Sequence, residues 1–219
     1  IHKVAATHFY QLLHTEEGLH AYRYLKERGL SDETIRHFGL GFSSKRPGEL
    51  YHYLKSKGYT DAELRESGLV TIEERGARDK FWNRVMFPIM DSNSRVIAFG
   101  GRVMGDGEPK YLNSPETKLF DKSKNLYGLN YARRKREAYI ILCEGYMDVI
   151  ALHQAGFASA VASLGTALTE QQILHLKRTL PNANVTILSY DSDNAGIKAA
   201  RRAIPMIRNA MLQPRVLSM

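Results

Sequence analysis

Two short apolar runs, each stopping at acidic residues and a glycine, constrain this chain more than any other feature. Ala138-Tyr139-Ile140-Ile141-Leu142-Cys143 runs into Glu144-Gly145-Tyr146-Met147-Asp148. Val185-Thr186-Ile187-Leu188-Ser189-Tyr190 runs into Asp191-Ser192-Asp193-Asn194-Ala195-Gly196. Short β-branched runs of this kind suit the buried strands of a parallel sheet. After its acidic residues, each run is expected to turn into a helix. In open parallel sheets, ligands gather beyond the carboxyl ends of the strands. The pattern therefore delivers Glu144, Asp191 and Asp193 to one edge, from strands expected to lie side by side. Carboxylates crowded there repel, and at least one is expected to protonate unless a cation neutralises them. An all-oxygen cluster suits Mg²⁺ or Mn²⁺ rather than zinc.

The rest of the second half fits the same plan. A further strand is expected at about residues 158–163, with Gly165-Thr166 as its loop. Thr169-Glu170-Gln171-Gln172 is a capping box that opens a helix. The helix after Asp193 is long and basic, with Lys198, Arg201 and Arg202, and Pro205 is expected to kink or break it. A fourth strand is expected from Arg215 into Ser218 and Met219. Strand and helix alternating in this way mean a parallel sheet with right-handed crossovers.

The first half has a different texture. Its opening sixty-odd residues read as short helices, with Ser31 and the Thr60-Asp61-Ala62-Glu63 box as N-caps and Gly29, Gly39, Gly58 and Gly68 as stops. From about Val70 the pattern turns to strands. Val85–Met90 and Arg95–Phe99 flank the polar turn Asp91-Ser92-Asn93-Ser94, which is a hairpin pattern. Gly100-Gly101 is expected to mark a bulge or bend before a third strand. The stretch from Pro109 to Thr117 reads as an irregular polar loop, the kind that often carries function. Residues 126–135 read as a connecting helix.

The chain has 219 residues and 43% hydrophobic content, enough for a real core in one large domain or two small ones. No apolar run reaches the ~18 residues of a membrane span. The start at Ile1 lacks an initiator methionine and any signal-peptide pattern, as in a piece excised from a longer protein. The sole cysteine, Cys143, lies in an expected buried strand as a small hydrophobe and excludes an internal disulfide. The histidines, His8 and His153 among them, show no ligand spacing. A net charge of +8 suits a polyanionic partner.

The acidic motifs, with Ala162-Ser163-Leu164-Gly165-Thr166 between them, resemble the toprim domain of primases, some topoisomerases and certain nucleases. Upstream, four further stretches resemble bacterial replicative primases in particular. They are Tyr24–Leu30, Arg84–Ile89, Phe99-Gly100-Gly101-Arg102 and Pro109-Lys110-Tyr111-Leu112-Asn113-Ser114-Pro115-Glu116-Thr117. The likeness covers nearly the whole chain in the family's order. It implies a mixed α/β fold: an N-terminal basic α+β subdomain over residues 1–122, then a toprim domain over 123–219 with a mainly parallel sheet flanked by helices. Two departures stand out. The family's further Asp-x-Asp after the fourth toprim strand does not appear before the chain ends, so activity is expected to be impaired relative to a longer core. Asn194 stands where primases often carry a basic residue.

The resemblance implies synthesis of short RNA primers on a single-stranded DNA template from ribonucleoside triphosphates, in the bacterial cytoplasm at the replication fork. It implies a replicative helicase as partner, through a module missing here, and no zinc in this fragment. Glu144, Asp191 and Asp193 would bind Mg²⁺, with Mn²⁺ as a substitute, and Glu144 has proton acceptance as a second reading. Asp148 would either support the metal site or complement the helix dipole. Lys110, Lys122 and Arg102 would hold the incoming phosphates, with Tyr111 and Asn113 beside them in the nucleotide site, Tyr111 otherwise supporting the loop. Arg28, Lys80 and Arg84 would track the DNA backbone, Arg28 and Lys80 being equally readable as solvated surface. Trp82 is read as a partly buried anchor ahead of a base-stacking role. Two rivals remain: a toprim nuclease or topoisomerase, in which covalent cleavage needs a tyrosine nucleophile normally supplied by another domain, Tyr146 and Tyr190 beside the acids reading as structural, and a non-catalytic nucleic-acid scaffold.

Overall fold

The computed structural model describes residues 1–74 and 76–217, and the chain divides into two units. The first comprises Ile1–Ile89 with Val96–Phe120, and the second Met90–Arg95 with the chain from Asp121 onward.

The first unit opens with α1 (His2–Leu13), α2 (Leu19–Glu27), α3 (Asp32–Phe38), β1 (Gly41–Ser43), α4 (Glu49–Ser56) and α5 (Asp61–Ser67). It continues with β2 (Val70–Glu73), β3 (Gly76–Asp79), β4 (Arg84–Met90), β5 (Val96–Val103) and β6 (Tyr111–Asn113). The expected caps are present. Ser31 accepts the Thr34 amide at the head of α3, and Thr60 and Glu63 form a reciprocal capping box at the head of α5. A four-stranded sheet runs in the order β1-β4-β5-β6, with β2 and β3 as a separate antiparallel pair. The core gathers Phe9, Leu54, Phe81, Met86 and Phe99, with the Phe9 and Phe99 rings edge to face at 5.3 Å.

Three expectations for this half give way. β5 continues through Gly100 and Gly101 as one strand, so no third strand begins after them. The reason is a close approach: a Cβ on Gly101 would lie 2.9 Å from Arg84 Cδ and 2.9 Å from the Phe81 ring. Tyr111–Asn113, expected as loop, pairs antiparallel with β5, Arg102 standing opposite Tyr111. β1 has only three residues, too few to show a period, and pairs antiparallel with β4.

The second unit continues with α6 (Leu129–Lys135), β7 (Tyr139–Cys143), α7 (Tyr146–Gln154), β8 (Ala160–Ala162), α8 (Glu170–Thr179), β9 (Val185–Ser189), α9 (Asn194–Asn209) and β10 (Gln213–Val216). The sheet order is β10-β9-β7-β8, with all three pairings parallel. Leu142, Val161 and Leu188 from the strands pack with Ile173, Leu176, Ala203 and Ile207 from α8 and α9. The alternating strands and helices thus form a mixed α/β fold, as the pattern requires. Pro205 neither breaks nor ends α9. It lies on an exposed face, as does Arg201, whose carbonyl loses its amide donor and stays within reach of solvent. The last strand starts two residues earlier than expected, and Ser218 and Met219 lie outside the described residues.

Replacing Thr60 with alanine removes one half of the α5 capping box. The expected loss is about 1 kcal/mol, read as a lower urea midpoint with an unchanged slope. An unmoved midpoint would mean that the cap carries no weight.

Candidate functional site

β7 and β9 are neighbours in register, Cys143 opposite Ser189, so the chain leaves the same sheet edge twice at the same height. Glu144 emerges from the first strand and Asp191 from the second. Glu144 Oε1 accepts the Asp191 amide at 2.8 Å. Beneath them, Gly196 sits in the first turn of α9. A Cβ there would fall 2.0 Å from the Asp191 carbonyl oxygen and 2.8 Å from Glu144 Oε1, so only glycine fits. Asp193 is the N-cap of α9, its Oδ1 accepting the Gly196 amide at 2.7 Å. The glutamate and the Asp-x-Asp therefore meet around one glycine.

Asp148 Oδ2 accepts the Gly145 amide at 3.0 Å and closes the turn into α7. Glu144, Asp148 and Asp193 thus each accept one backbone N–H, which offsets charge in the way a bound cation was expected to do. Glu144 Oε2, Asp193 Oδ2 and the whole Asp191 carboxylate have no hydrogen bond among the described residues, and all three acids are exposed.

Among the described residues, no three His, Cys, Asp or Glu side chains gather as a ready metal cage. The free donors at the edge are all carboxylate oxygens, the ligand type of hard divalent cations. The nearby Cys143 is buried, and burial first, then Asp148, pushes its thiol up to about 12, so it supplies no thiolate. The residues present fit a hard divalent cation.

The cations expected to bind polyanions sit in different surroundings. Lys110 is exposed, and its ammonium has no partner among the described residues, while its carbonyl accepts the Val103 amide across the strands. Arg28 is exposed and Lys80 half-buried. Arg102 is half-buried and stacks its guanidinium over Tyr24, 4.3 Å from the ring centroid. Its cross-strand neighbour Tyr111 has its phenol raised, first by burial and then by Tyr24, with Arg102 opposing. Asn113 is half-buried opposite Gly100. Lys122 lies half-buried in the second unit, in a segment tied to α8 by Gln172, whose amide donates to the Lys122 and Asn125 carbonyls.

Arg84 departs most from expectation. It is only 5% exposed, and its NH1 donates to the Gly101 and Pro109 carbonyls at 3.2 and 2.8 Å. Instead of a solvated side chain following a backbone, it is a buried strut under the loop that carries Lys110. Trp82 departs in the opposite sense: expected as an anchor, it is 52% exposed. The two tyrosines near the acids are structural. Tyr146 is buried edge to face on Tyr127, and burial pushes the Tyr190 phenol up to about 12. Sequence reasoning missed the roles of Gly196 and of the Asp191 amide. The spacing of Asp-x-Asp-x-x-Gly was the available clue, since it puts the glycine about one helical turn after the second aspartate.

A family model described as DNA primase catalytic core, N-terminal domain, matches residues 8–133, and one described as Toprim-like matches residues 141–219. The chain is 45% identical over 207 residues to a DNA primase of Clostridium acetobutylicum, covering 94% of this chain and 34% of that protein. It is 48% identical over 193 residues to one of Pseudomonas aeruginosa, covering 85% and 28%. The chain thus spans about a third of the length of these curated relatives. Among solved structures it is similar to a DnaG primase catalytic domain bound to single-stranded DNA, with a TM-score of 0.89 at 39% identity, covering 100% of this chain and 69% of that one. It is also similar to the Escherichia coli primase catalytic core, with a TM-score of 0.88 at 39% identity, covering 98% and 70%. With a family model matched across more than half its length, the chain belongs to the DNA primase catalytic core family, its N-terminal domain followed by a toprim-like domain.

Proposed function

We propose that this chain is the nucleotidyl-transferring core of a DNA primase, which makes short RNA primers on single-stranded DNA from ribonucleoside triphosphates. One observation carries the reading: Glu144 grips the Asp191 amide across two adjacent parallel strands, in a chain that belongs to this family. Glu144, Asp191 and Asp193 would hold Mg²⁺, or Mn²⁺ in its place, through carboxylate oxygens that no protein group occupies. When bound, such an ion neutralises the triphosphate and activates the attacking hydroxyl.

The chain's own residues do the rest. Asp148 keeps the Gly145 turn closed so that Glu144 points off the sheet edge. Lys110 and Lys122 bind the incoming phosphates as point charges, and Arg102, held flat against Tyr24, binds them as a fork. Tyr111 and Asn113 support the nucleotide site from β6. Arg28 and Lys80 bind template phosphates, with salt-dependent and largely sequence-blind affinity. Arg84 acts indirectly, by holding the Pro109–Lys110 backbone. In this reading the work takes place at the replication fork in the bacterial cytoplasm, with the replicative helicase as partner of the whole protein. For the topoisomerase and nuclease readings, Tyr146, which is buried, and Tyr190, packed against the core, offer no nucleophile, so one would have to come from another domain.

Asp191→Asn and Glu144→Gln are each expected to abolish primer synthesis, by about 10³-fold or more for a lost charge-stabilising group, while single-stranded DNA binding persists. Parallel loss of DNA binding would recast the acids as structural. Lys110→Ala is expected to raise the KM for ribonucleotides well above any change in template affinity; an unaltered KM takes Lys110 out of the nucleotide site. Gly196→Ala is expected to abolish synthesis with the acids intact, because its methyl would collide with Glu144 and the Asp191 carbonyl. Retained activity would mean that this junction tolerates being spread.

A further inference from the structure

Trp82 leaves 52% of its surface open, although tryptophan is normally well covered. The exposure is not looseness. Its Nε1 donates to the Lys45 carbonyl at 2.7 Å. The next residue, Asn83, is buried and left-handed, with φ 49°. Its amide donates to the Ser44 carbonyl at 3.2 Å, and its carbonyl accepts the Met104 amide at 2.9 Å. Its side chain donates to the Met104 carbonyl at 2.7 Å and meets His20 Nε2 at 3.2 Å. A non-glycine residue persists in that conformation only when its surroundings over-determine it. The reversal sends Phe81 into the core and Trp82 outward.

The other end of the indole's hydrogen bond is fixed as well. The Ser44 hydroxyl and the Lys45 amide both donate to Glu17 Oε1, and Arg46 pairs with Glu17 at 3.3 Å. The indole is therefore a rigid plate that loses little freedom when something stacks on it. Arg46 is paired with Glu17 and Glu49, but Lys45, whose carbonyl holds the indole, and Lys80, two residues before Trp82, have no ion pair among the described residues. A protein segment would want an apolar border around such a plate. An exposed aromatic face with such lysines next to it along the chain suits a base with phosphates on either side.

We propose that Trp82 is a stacking platform for one unpaired base of a single-stranded nucleic acid, with Lys45 and Lys80 holding the adjacent phosphates. The proposal rests on the single-strand-binding reading above and adds where a base lies.

Trp82 is the chain's sole tryptophan, so its emission reports on this site alone. Titration with an oligothymidylate is expected to quench that emission saturably, with the same midpoint as the anisotropy of a labelled oligonucleotide. Trp82→Leu is expected to weaken anisotropy-measured binding by about tenfold with an unchanged melting temperature, and Trp82→Phe to restore most of the affinity. Binding by anisotropy without a change in emission, and with Trp82→Leu at full affinity, would remove the platform and leave the single-strand reading standing. No binding by anisotropy would overturn both. In the whole protein, emission that is blue-shifted before DNA is added and unresponsive to it would assign the indole to a protein contact instead.

Discussion

The acidic edge depends on the hydrogen bond from the Asp191 amide to Glu144. Adjacent parallel strands end at the same height, which brings two turns together but does not fix their separation. Glu144 fixes it by reaching across to the neighbouring turn's backbone rather than to its side chain. Because the bond goes to an amide, the Asp191 carboxylate stays open. Gly196 allows the approach, since any side chain there would drive the two turns apart. The acids are thus placed by backbone pairing before any ligand arrives, which is what preorganisation requires of a charge-stabilising site.

The basic residues divide by what their chemistry suits. Arg84 and Arg46 spend their guanidinium groups inside the first unit, one on carbonyls and the other on Glu17 and Glu49. A planar fork with several donors can satisfy two acceptors while buried, which an ammonium does less well. The lysines at positions 45, 80 and 110 keep unpartnered ammonium groups among the described residues. The count of 31 Lys and Arg therefore overstates the side chains free to meet a polyanion. Counting arginines as contacts, as a reading of motifs encourages, would put Arg84 on the surface when it carries the loop from below.

Where local chemistry decides, the fold was legible in the sequence. Thr60, Thr169 and Ser31 cap helices where their spacing says they should, and the two runs before Glu144 and Asp191 become neighbouring parallel strands. Long-range contact decides the rest. Gly100 and Gly101 look like a bend, yet the pair continues a strand because Arg84 and Phe81, distant in the chain, press on Gly101. Pro205 looks like a break, yet its exposed face makes the lost hydrogen bond cheap. Trp82 looks like core, yet Asn83 turns it outward through partners at positions 20, 44 and 104. In the candidate site, residue types and the short-range caps of Asp148 and Asp193 follow from the motif, but the bond from the Asp191 amide to Glu144 does not, because it joins two turns 47 residues apart.

These amides also bear on which cation the site selects. An acid cluster held apart only by a metal would collapse or repel without it, and its ligands would close around the ion as a cage. Here Glu144, Asp148 and Asp193 each have a backbone donor, so the edge needs no ion to hold its shape. What remains for a cation is four carboxylate oxygens on an exposed edge: Glu144 Oε2, Asp193 Oδ2 and both oxygens of Asp191. An all-oxygen donor set suits a hard divalent cation rather than zinc, which favours nitrogen and sulfur ligands. In the primase reading proposed above, that openness would let a triphosphate share the ion instead of competing with the protein for it.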